Sequence, residues 1–178
     1  IEAIYPVVAG VLDQAHVGLE SVDAIAVTRG PGLAGSLVVG MNMAKGLAVA
    51  SGLPLLGINH LEAHLYSIWL VEDEPEPEFP LLALIVSGGH TELILMRDHL
   101  TYERLGATLD DAAGEAFDKV AKMMALGYPG GKIIDEMSRR GDRKRIRLPR
   151  ARVKGAPLAF SFRGITTAVA MFLRSEAA

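Results

Sequence analysis

Residues 22–59 constrain the fold more than any other part of the chain. They read VDAIAVTRGPGLAGSLVVGMNMAKGLAVASGLPLLGIN, in which an apolar run at 22–27 leads into a glycine loop. The pattern predicts a Gly- and Ala-rich helix over about 33–50, whose small side chains would let it lie close on a sheet, and a second strand over 53–58. A strand, a helix and a strand in this order form a βαβ unit. We therefore expect a parallel strand pair and an α/β fold.

The rest of the chain continues to mix strands and helices. NHLEAHLYSIWL predicts a helix, the acid and proline alternation at 71–80 predicts an exposed connector, and LALIVSGGHTELIL predicts a β-hairpin. TLDDAAGEAFDKVAKMMALGYPGG predicts a further helix, capped by Asp110 or Asp111 and stopped by Gly127, with a shorter helix after it. Both chain ends look cut, so we expect a piece of a longer protein.

Composition excludes several classes of protein. The 178 residues are 50% hydrophobic, enough for one domain-sized core. No run of about 18 apolar residues is present to span a bilayer. The absence of cysteine excludes disulfides and thiolate ligands and leaves His, Asp and Glu to bind any metal. Since no export leader is visible either, we expect a cytoplasmic protein.

The basic residues are concentrated in one segment. The formal net charge is −3, yet RRGDRKRIRLPRARVK at 139–154 holds half of the 18 Lys and Arg residues. A solvated surface run is the usual explanation of such a stretch. The alternative is a surface for nucleic-acid phosphates, because clustered cations release counterions from a polyanion. Its candidate contacts are Arg143, Lys144 and Arg145.

His60 and His64 are candidate metal ligands. They stand four residues apart at the start of a predicted helix, which places both imidazoles on one face at a separation that one metal ion can bridge. Ordinary surface or core histidines also show this spacing, and a metal would need a third ligand. Glu62 lies about 200° around the helix from His60, so a peptidase with Glu62 as its base is disfavoured.

The turn VSGGHT is a candidate ligand site. Adjacent Gly88 and Gly89 let the backbone approach a ligand and turn its N–H groups inward, which suits phosphate or carboxylate oxygens. A plain hairpin turn would also explain two glycines, but not the flanking hydroxyls of Ser87 and Thr91. On the next helix a polar stripe is either solvated or able to bind ribose hydroxyls. Its members are Asp111, Glu115, Asp118 and Lys122.

Five ordered segments resemble one family, the tRNA adenosine threonylcarbamoyltransferases, formerly labelled O-sialoglycoprotein endopeptidases. They are RGPGLAGSLVVG, NHLEAH, PLLALIVSGGHTELI, LGATLDDAAGEAFDKVAKMMALGYPGG and FSFRGITTAV, and together they extend over nearly the whole chain. The resemblance implies the actin and hexokinase type of nucleotide-binding fold (ASKHA), with a cleft between two α/β lobes. Residues 1–178 would be one incomplete region of it, with the end of the first lobe at about 1–80 and the start of the second at about 81–178.

The resemblance also implies roles for individual residues. His60 and His64 would hold one divalent metal ion, iron or alternatively zinc, and would face the same cleft as the glycine turn. The residues that would line the nucleotide and acyl site are Ile85, Val86, Ser87, Gly88 and Gly89. Those that would contact the adenosine part of the donor, threonylcarbamoyl-AMP, are Asp118, Gly131 and Asp135.

The implied reaction is an acyl transfer to tRNA. The N6 amine of the adenosine 3′ of the anticodon, in tRNAs that read codons beginning with adenine, attacks the carbamoyl carbon, and AMP leaves. The implied partners are tRNA, a paralogous scaffold subunit and a small P-loop ATPase of the bacterial complex, without a membrane. The basic run would meet tRNA phosphates, a role that its charge suggests and the resemblance does not assign.

The sequence departs from the family pattern in places and leaves other functions open. An N-terminal E-T-S-C-D-D type strand is missing, as is the C-terminal region with an aspartate metal ligand and an asparagine that contacts the nucleotide. We therefore expect this piece to be inactive alone. Arg163 stands where a small residue is more usual. The alternatives are a metal-dependent endopeptidase, a non-catalytic paralogue that scaffolds a tRNA-modification complex, and a sugar or acetate kinase of the same fold.

Overall fold

The computed structural model describes residues 2–176 and divides the chain into two compact units, Ile1–Pro75 and Glu76–Ala178. Both units combine helices with a small sheet, so the predicted α/β class is confirmed. That they form parts of the two lobes of a longer protein stays a prediction. No helix in the described part of the chain is long and apolar enough to cross a membrane.

The first unit contains the βαβ unit that the sequence predicts. Strands β1 and β2 pair in parallel, with Ile25 opposite Leu55, and helix α2 connects them. Ala44 and Ala48 of α2 are buried, so its small residues allow the close packing expected of them. The helices and strands of this unit are α1 (Ile4–Ala15), β1 (Ile25–Gly30), α2 (Ala34–Ser51), β2 (Leu55–Asn59) and α3 (His60–Tyr66), with 3-10 turns at Leu19–Ser21 and Ser67–Leu70.

In its described part, residues 76–176, the second unit is a three-stranded antiparallel sheet with three helices. The strand order is β3-β4-β5, and the predicted hairpin forms its β3 and β4. Ile85, Ile94 and Met96 of the sheet and Ala116 and Ala121 of α4 are buried. The elements are β3 (Leu81–Val86), β4 (Thr91–Asp98), β5 (Thr101–Ala107), α4 (Ala113–Met123), α5 (Gly130–Ser138) and α6 (Arg163–Glu176). The connector at 71–80 is mostly exposed, as predicted.

The prediction of the bounds of α4 was wrong at both ends. The helix begins after Ala112, whose N–H donates to Glu115 Oε2 at 3.0 Å, and neither Asp110 nor Asp111 caps it. Asp110 is turned toward α6 instead, where its carboxylate has three donors. The helix ends at Met123, before the predicted stop at Gly127, because Ala125 already adopts the left-handed region with φ 54.

Candidate functional site

The glycine turn, Ser87–Thr91, closes the hairpin between β3 and β4 through hydrogen bonds between Ser87 and His90. The N–H of Ser87 donates to the carbonyl of His90 at 2.9 Å, and the N–H of His90 donates to Ser87 Oγ at 3.1 Å. The N–H groups of Gly88 and Gly89 have no hydrogen-bond partner within residues 2–176. A Cβ on either glycine would meet nothing within 4 Å. The turn therefore keeps two backbone donors beside open space.

The turn rests directly on the first turn of α4. The N–H of Ala113 donates to Thr91 Oγ1 at 2.9 Å, and the N–H of Gly114 donates to the carbonyl of Ser87 at 3.2 Å. Thr91 is only 3% exposed, so its hydroxyl holds the helix and is not presented to a ligand. A Cβ on Gly114 would lie 2.7 Å from the Cα of Gly88. Sequence reasoning missed Gly114, although a glycine beside a predicted helix start was a usable signal.

Asp118 and the last two glycines of GYPGG, Gly130 and Gly131, join α4 to the start of α5. Asp118 Oδ1 accepts the N–H of Gly130 at 2.8 Å, which leaves its second oxygen for another donor. A Cβ on Gly130 would collide with the Cβ of Ala121, so this glycine is required for the packing of α5 on α4. At Gly131 a Cβ would meet nothing within 4 Å. The two glycines therefore differ: the first packs, and the second borders open space.

Asp135 lies one turn further along α5, and its carboxylate forms an ion pair with Arg139 of the basic run. Its Oδ2 accepts from Arg139 Nη2 at 3.0 Å, and its side chain is 64% exposed. An exposed i, i+4 pair of this kind contributes about 0.3–0.5 kcal/mol, so a ligand hydroxyl can displace it at little cost.

The carboxylate of Asp110 has a lowered pKa. Burial would raise its pKa, but hydrogen bonds from the Ser161 hydroxyl and then from the N–H groups of Phe162, Asp111 and Arg163 outweigh burial. The pKa therefore lies below its ordinary value of 3.8. Asp110 is charged at neutral pH and is held at the N-terminus of α6, where a negative charge is favoured by the helix dipole.

The histidine pair follows directly after the carboxyl end of β2. Asn59 caps α3 through Oδ1, which accepts the N–H of Leu61 at 2.9 Å, so the helix starts at His60. The ring centroids of His60 and His64 are 4.5 Å apart, with planes at 65°. The two rings thus lie side by side, as their spacing predicts. Imidazole nitrogens suit iron or zinc, so the pair fits two positions of such a site.

A complete metal site is not formed by the described residues. No group of three or more His, Asp or Glu side chains lies close enough together within 2–176 to hold an ion. The pair belongs to the first unit and the glycine turn to the second, so the cleft that they would share stays a prediction.

The basic run at 139–154 is an irregular, exposed segment between α5 and α6. All of its residues are exposed except Val153, which is half-buried. Asp142 Oδ1 accepts the N–H of Lys144 at 2.8 Å and stabilises a local turn. Arg143, Lys144 and Arg145 form no ion pair with the described residues. These three cations are therefore accessible to an anionic partner.

Comparisons with known proteins agree on one family. The family model described as tRNA N6-adenosine threonylcarbamoyltransferase matches residues 1–177. Curated relatives of that name are 53% identical over 174 residues in Symbiobacterium thermophilum and 55% identical over 173 residues in Thermomicrobium roseum. A third, from Clostridium botulinum strain Hall, is 49% identical over 176 residues.

These alignments cover most of the chain but not most of the relatives. They include 98%, 95% and 99% of this chain and 50%, 47% and 51% of the three relatives, in the same order. The chain thus spans about half the length of the curated relatives it matches. The solved structure of YeaZ from Pseudomonas aeruginosa aligns with a TM-score of 0.43 at 24% identity, covering 58% of this chain and 47% of that one.

Proposed function

The chain belongs to the tRNA N6-adenosine threonylcarbamoyltransferase family, and we propose that the complete protein transfers threonylcarbamoyl from threonylcarbamoyl-AMP to adenosine in tRNA. The α/β fold of the actin and hexokinase type that the sequence predicts is the fold of this family. The acceptor is the N6 amine of the adenosine 3′ of the anticodon in tRNAs that read codons beginning with adenine. Family membership favours this transferase over the endopeptidase, the non-catalytic paralogue and the kinase.

One observation carries the proposal: the glycine turn presents two backbone donors that residues 2–176 leave unpaired, while α4 holds the turn in place. The N–H groups of Gly88 and Gly89 border open space, and the first turn of α4 fixes the backbone beside them. Backbone donors with fixed positions bind developing negative charge without reorganising, which is how oxyanions are stabilised in acyl transfer. We assign these donors to the phosphate and carbamate oxygens of the donor substrate.

The adenosine part of the donor is assigned to the junction of α4 and α5. The second oxygen of Asp118 can accept a ribose hydroxyl, and the open side of Gly131 lets a ribose or base approach the backbone. Asp135 can exchange its exposed ion pair for a ligand hydroxyl. Ile85 is buried, so it contributes backbone only, whereas Val86 and Ser87 complete the turn side of the site.

In the reaction the N6 amine attacks the carbamoyl carbon, the bond from that carbon to the AMP oxygen breaks, and the amine loses one proton. Gly88 and Gly89 would stabilise the charge that develops on oxygen. A divalent ion, iron or alternatively zinc, would supply Lewis-acid stabilisation of the same oxygens when bound. His60 and His64 would hold it together with ligands from outside residues 2–176.

The tRNA would contact the protein partly through Arg143, Lys144 and Arg145. Their accessible charges suit phosphates, and counterion release makes such binding strongly dependent on salt. We further propose that the protein acts in the cytoplasm with a paralogous scaffold subunit and a small P-loop ATPase, and that this 178-residue piece is inactive alone.

The test uses the complete protein encoded by the gene from which this chain derives. It is incubated with the scaffold and ATPase subunits, threonylcarbamoyl-AMP and a tRNA whose adenosine 3′ of the anticodon is intact. Mass spectrometry of the digested tRNA is expected to show threonylcarbamoyladenosine. A tRNA with guanosine at that position is the matched control and should stay unmodified. Absence of the modified nucleoside from the intact tRNA would refute the proposed function.

A further inference from the structure

We propose that Asp110 is a positioning residue for the donor site, because its carboxylate fixes the start of α6 against the start of α4, the helix that holds the glycine turn. This inference rests on the proposed function, since it takes the turn to bind the donor.

The carboxylate of Asp110 acts as a remote cap for α6. Its Oδ2 accepts from Ser161 Oγ at 2.6 Å, and its Oδ1 accepts the N–H groups of Phe162 at 2.8 Å and Arg163 at 3.3 Å. These donors lie 51 to 53 residues away along the chain. Hydrogen bonds to a charged acceptor are roughly twice as strong as neutral ones, so a single side chain joins two distant segments firmly.

Backbone pairing beside Asp110 keeps the same two segments in register. The N–H of Phe160 donates to the carbonyl of Ala107, and the N–H of Leu109 donates to the carbonyl of Phe160, both at 3.0 Å. The N–H of Thr108 donates to the carbonyl of Thr91 at 2.9 Å. Asp110 therefore belongs to a segment that is hydrogen-bonded to β4 at Thr91, the residue whose hydroxyl holds the start of α4.

The start of α6 lies beside the first turns of α4, since the two helices are in contact and share the lining of a cavity. Phe162 and Ile165 line a cavity of about 240 Å³ together with Ala113, Ala116 and Phe117 of α4. The backbone carbonyl of Ser87 and the hydroxyl of Thr91 hold the first turn of α4 through hydrogen bonds. The helix start is thus held both by the turn and by α6, and a shift of α6 would let α4 and the turn move together.

The lowered pKa of Asp110 agrees with this role, since it shows that the charged carboxylate is favoured by its donors. The conservative Asp110→Asn change keeps a carbonyl oxygen that accepts the N–H of Phe162. Its amide N–H can donate to the oxygen of the Ser161 hydroxyl. Asp110→Ala removes every acceptor and leaves four donors without this partner, namely the Ser161 hydroxyl and the N–H groups of Asp111, Phe162 and Arg163. The two variants therefore separate the geometry of the link from the mere presence of a charge.

The experiment measures steady-state transfer by the complete protein with its partner subunits, with KM determined separately for threonylcarbamoyl-AMP and for tRNA. Asp110→Ala is expected to raise the KM for the donor about tenfold, the equivalent of one charged hydrogen bond, and to leave the KM for tRNA within about twofold. Asp110→Asn is expected to restore most of the donor KM. Asp98→Asn is the matched control, because Asp98 caps an exposed hairpin turn and should give wild-type values.

A merely structural role would lower the melting temperature and the active fraction without changing either KM. A donor KM within twofold of wild type in folded Asp110→Ala, or a parallel rise of both KM values, overturns the inference. Should Asp110→Ala fail to fold, Ser161→Ala is expected to raise the donor KM about threefold, and an unchanged value overturns the inference as well. A wild-type protein that transfers nothing refutes the proposed function instead.

Discussion

Gly114 offers a sharp test of how the glycine turn is held. A Cβ at this position would lie 2.7 Å from the Cα of Gly88 and from the carbonyl oxygen of Ser87, and 3.0 Å from the N of Gly88. Carbon atoms pack best at about 3.5–4.0 Å, so Gly114→Ala lacks roughly 1 Å of space. All three neighbouring atoms are backbone and cannot rotate away. The turn must shift, and the 3.2 Å bond from Gly114 to Ser87 is weakened or lost.

The magnitude follows from three terms. Overpacking of this kind costs about 1–3 kcal/mol. The weakened hydrogen bond costs about 0.5–1.5 kcal/mol. Replacement of a helical glycine by alanine returns up to about 1 kcal/mol. We expect Gly114→Ala to lower the free energy of unfolding by about 0.5–4.5 kcal/mol, and to raise the KM for threonylcarbamoyl-AMP more than the KM for tRNA.

Gly164→Ala is the matched control for this change. Gly164 is the second residue of α6, as Gly114 is the second residue of α4, and a Cβ on Gly164 would meet nothing within 4 Å. The control should therefore be neutral or stabilising by up to about 1 kcal/mol. Urea unfolding of both variants in the complete protein, together with donor KM, decides the matter. Equal stabilities and equal donor KM values for the two variants would refute the reasoning.

Four further predictions address other contacts. Thr91→Val leaves the amide at the start of α4 unpaired and should cost about 1–3 kcal/mol in urea unfolding, whereas Thr91→Ser should keep most of the stability. The pKa of Asp110 is lower in the folded protein, so its charge stabilises the fold fully above its unfolded pKa near 3.8, and this stabilisation is lost as pH falls through the folded pKa. Unfolding free energies measured from pH 6 to pH 3 should show this pH-dependent loss in the wild type and not in Asp110→Asn. His60→Ala should reduce bound iron or zinc in elemental analysis of the complete protein, and His16→Asn, which suits the left-handed backbone at that position, should not. Reversal of the three charges at 143–145 should weaken tRNA binding and flatten its salt dependence, and unchanged affinity at low salt would exclude this surface.

The parts of the fold that sequence predicted are those whose signal is local. The βαβ unit, the hairpin and α5 each have a continuous pattern of apolar residues with glycine or proline at its ends, and the structure contains all three. Strand β5 was not predicted, because Thr101–Ala107 carries charged residues and its first four residues are exposed, which hides the alternation.

The site shows the same division between local and distant determinants. The adjacency of His60 and His64 depends only on helix geometry, and their rings lie side by side. The role of Asp110 could not be predicted, since its partners begin 51 residues later and a carboxylate before a helix resembles a cap for that helix. At Gly114 the sequence signals a special glycine near a helix start but not what that glycine contacts, because its close neighbours belong to the preceding hairpin.

The way in which α4 holds the turn also determines what the turn can bind. A helix N-terminus normally offers its first N–H groups to an anion, but here those of Ala112, Ala113 and Gly114 are taken by acceptors of the protein itself. The bond from Gly114 ends on the carbonyl of Ser87, which shares a peptide unit with the N–H of Gly88. Donation to that carbonyl polarises the peptide and makes its N–H a stronger donor. The positive end of α4 therefore acts on a ligand through the turn. A shift of the turn would move the N–H of Gly88 out of position and would also weaken this polarisation.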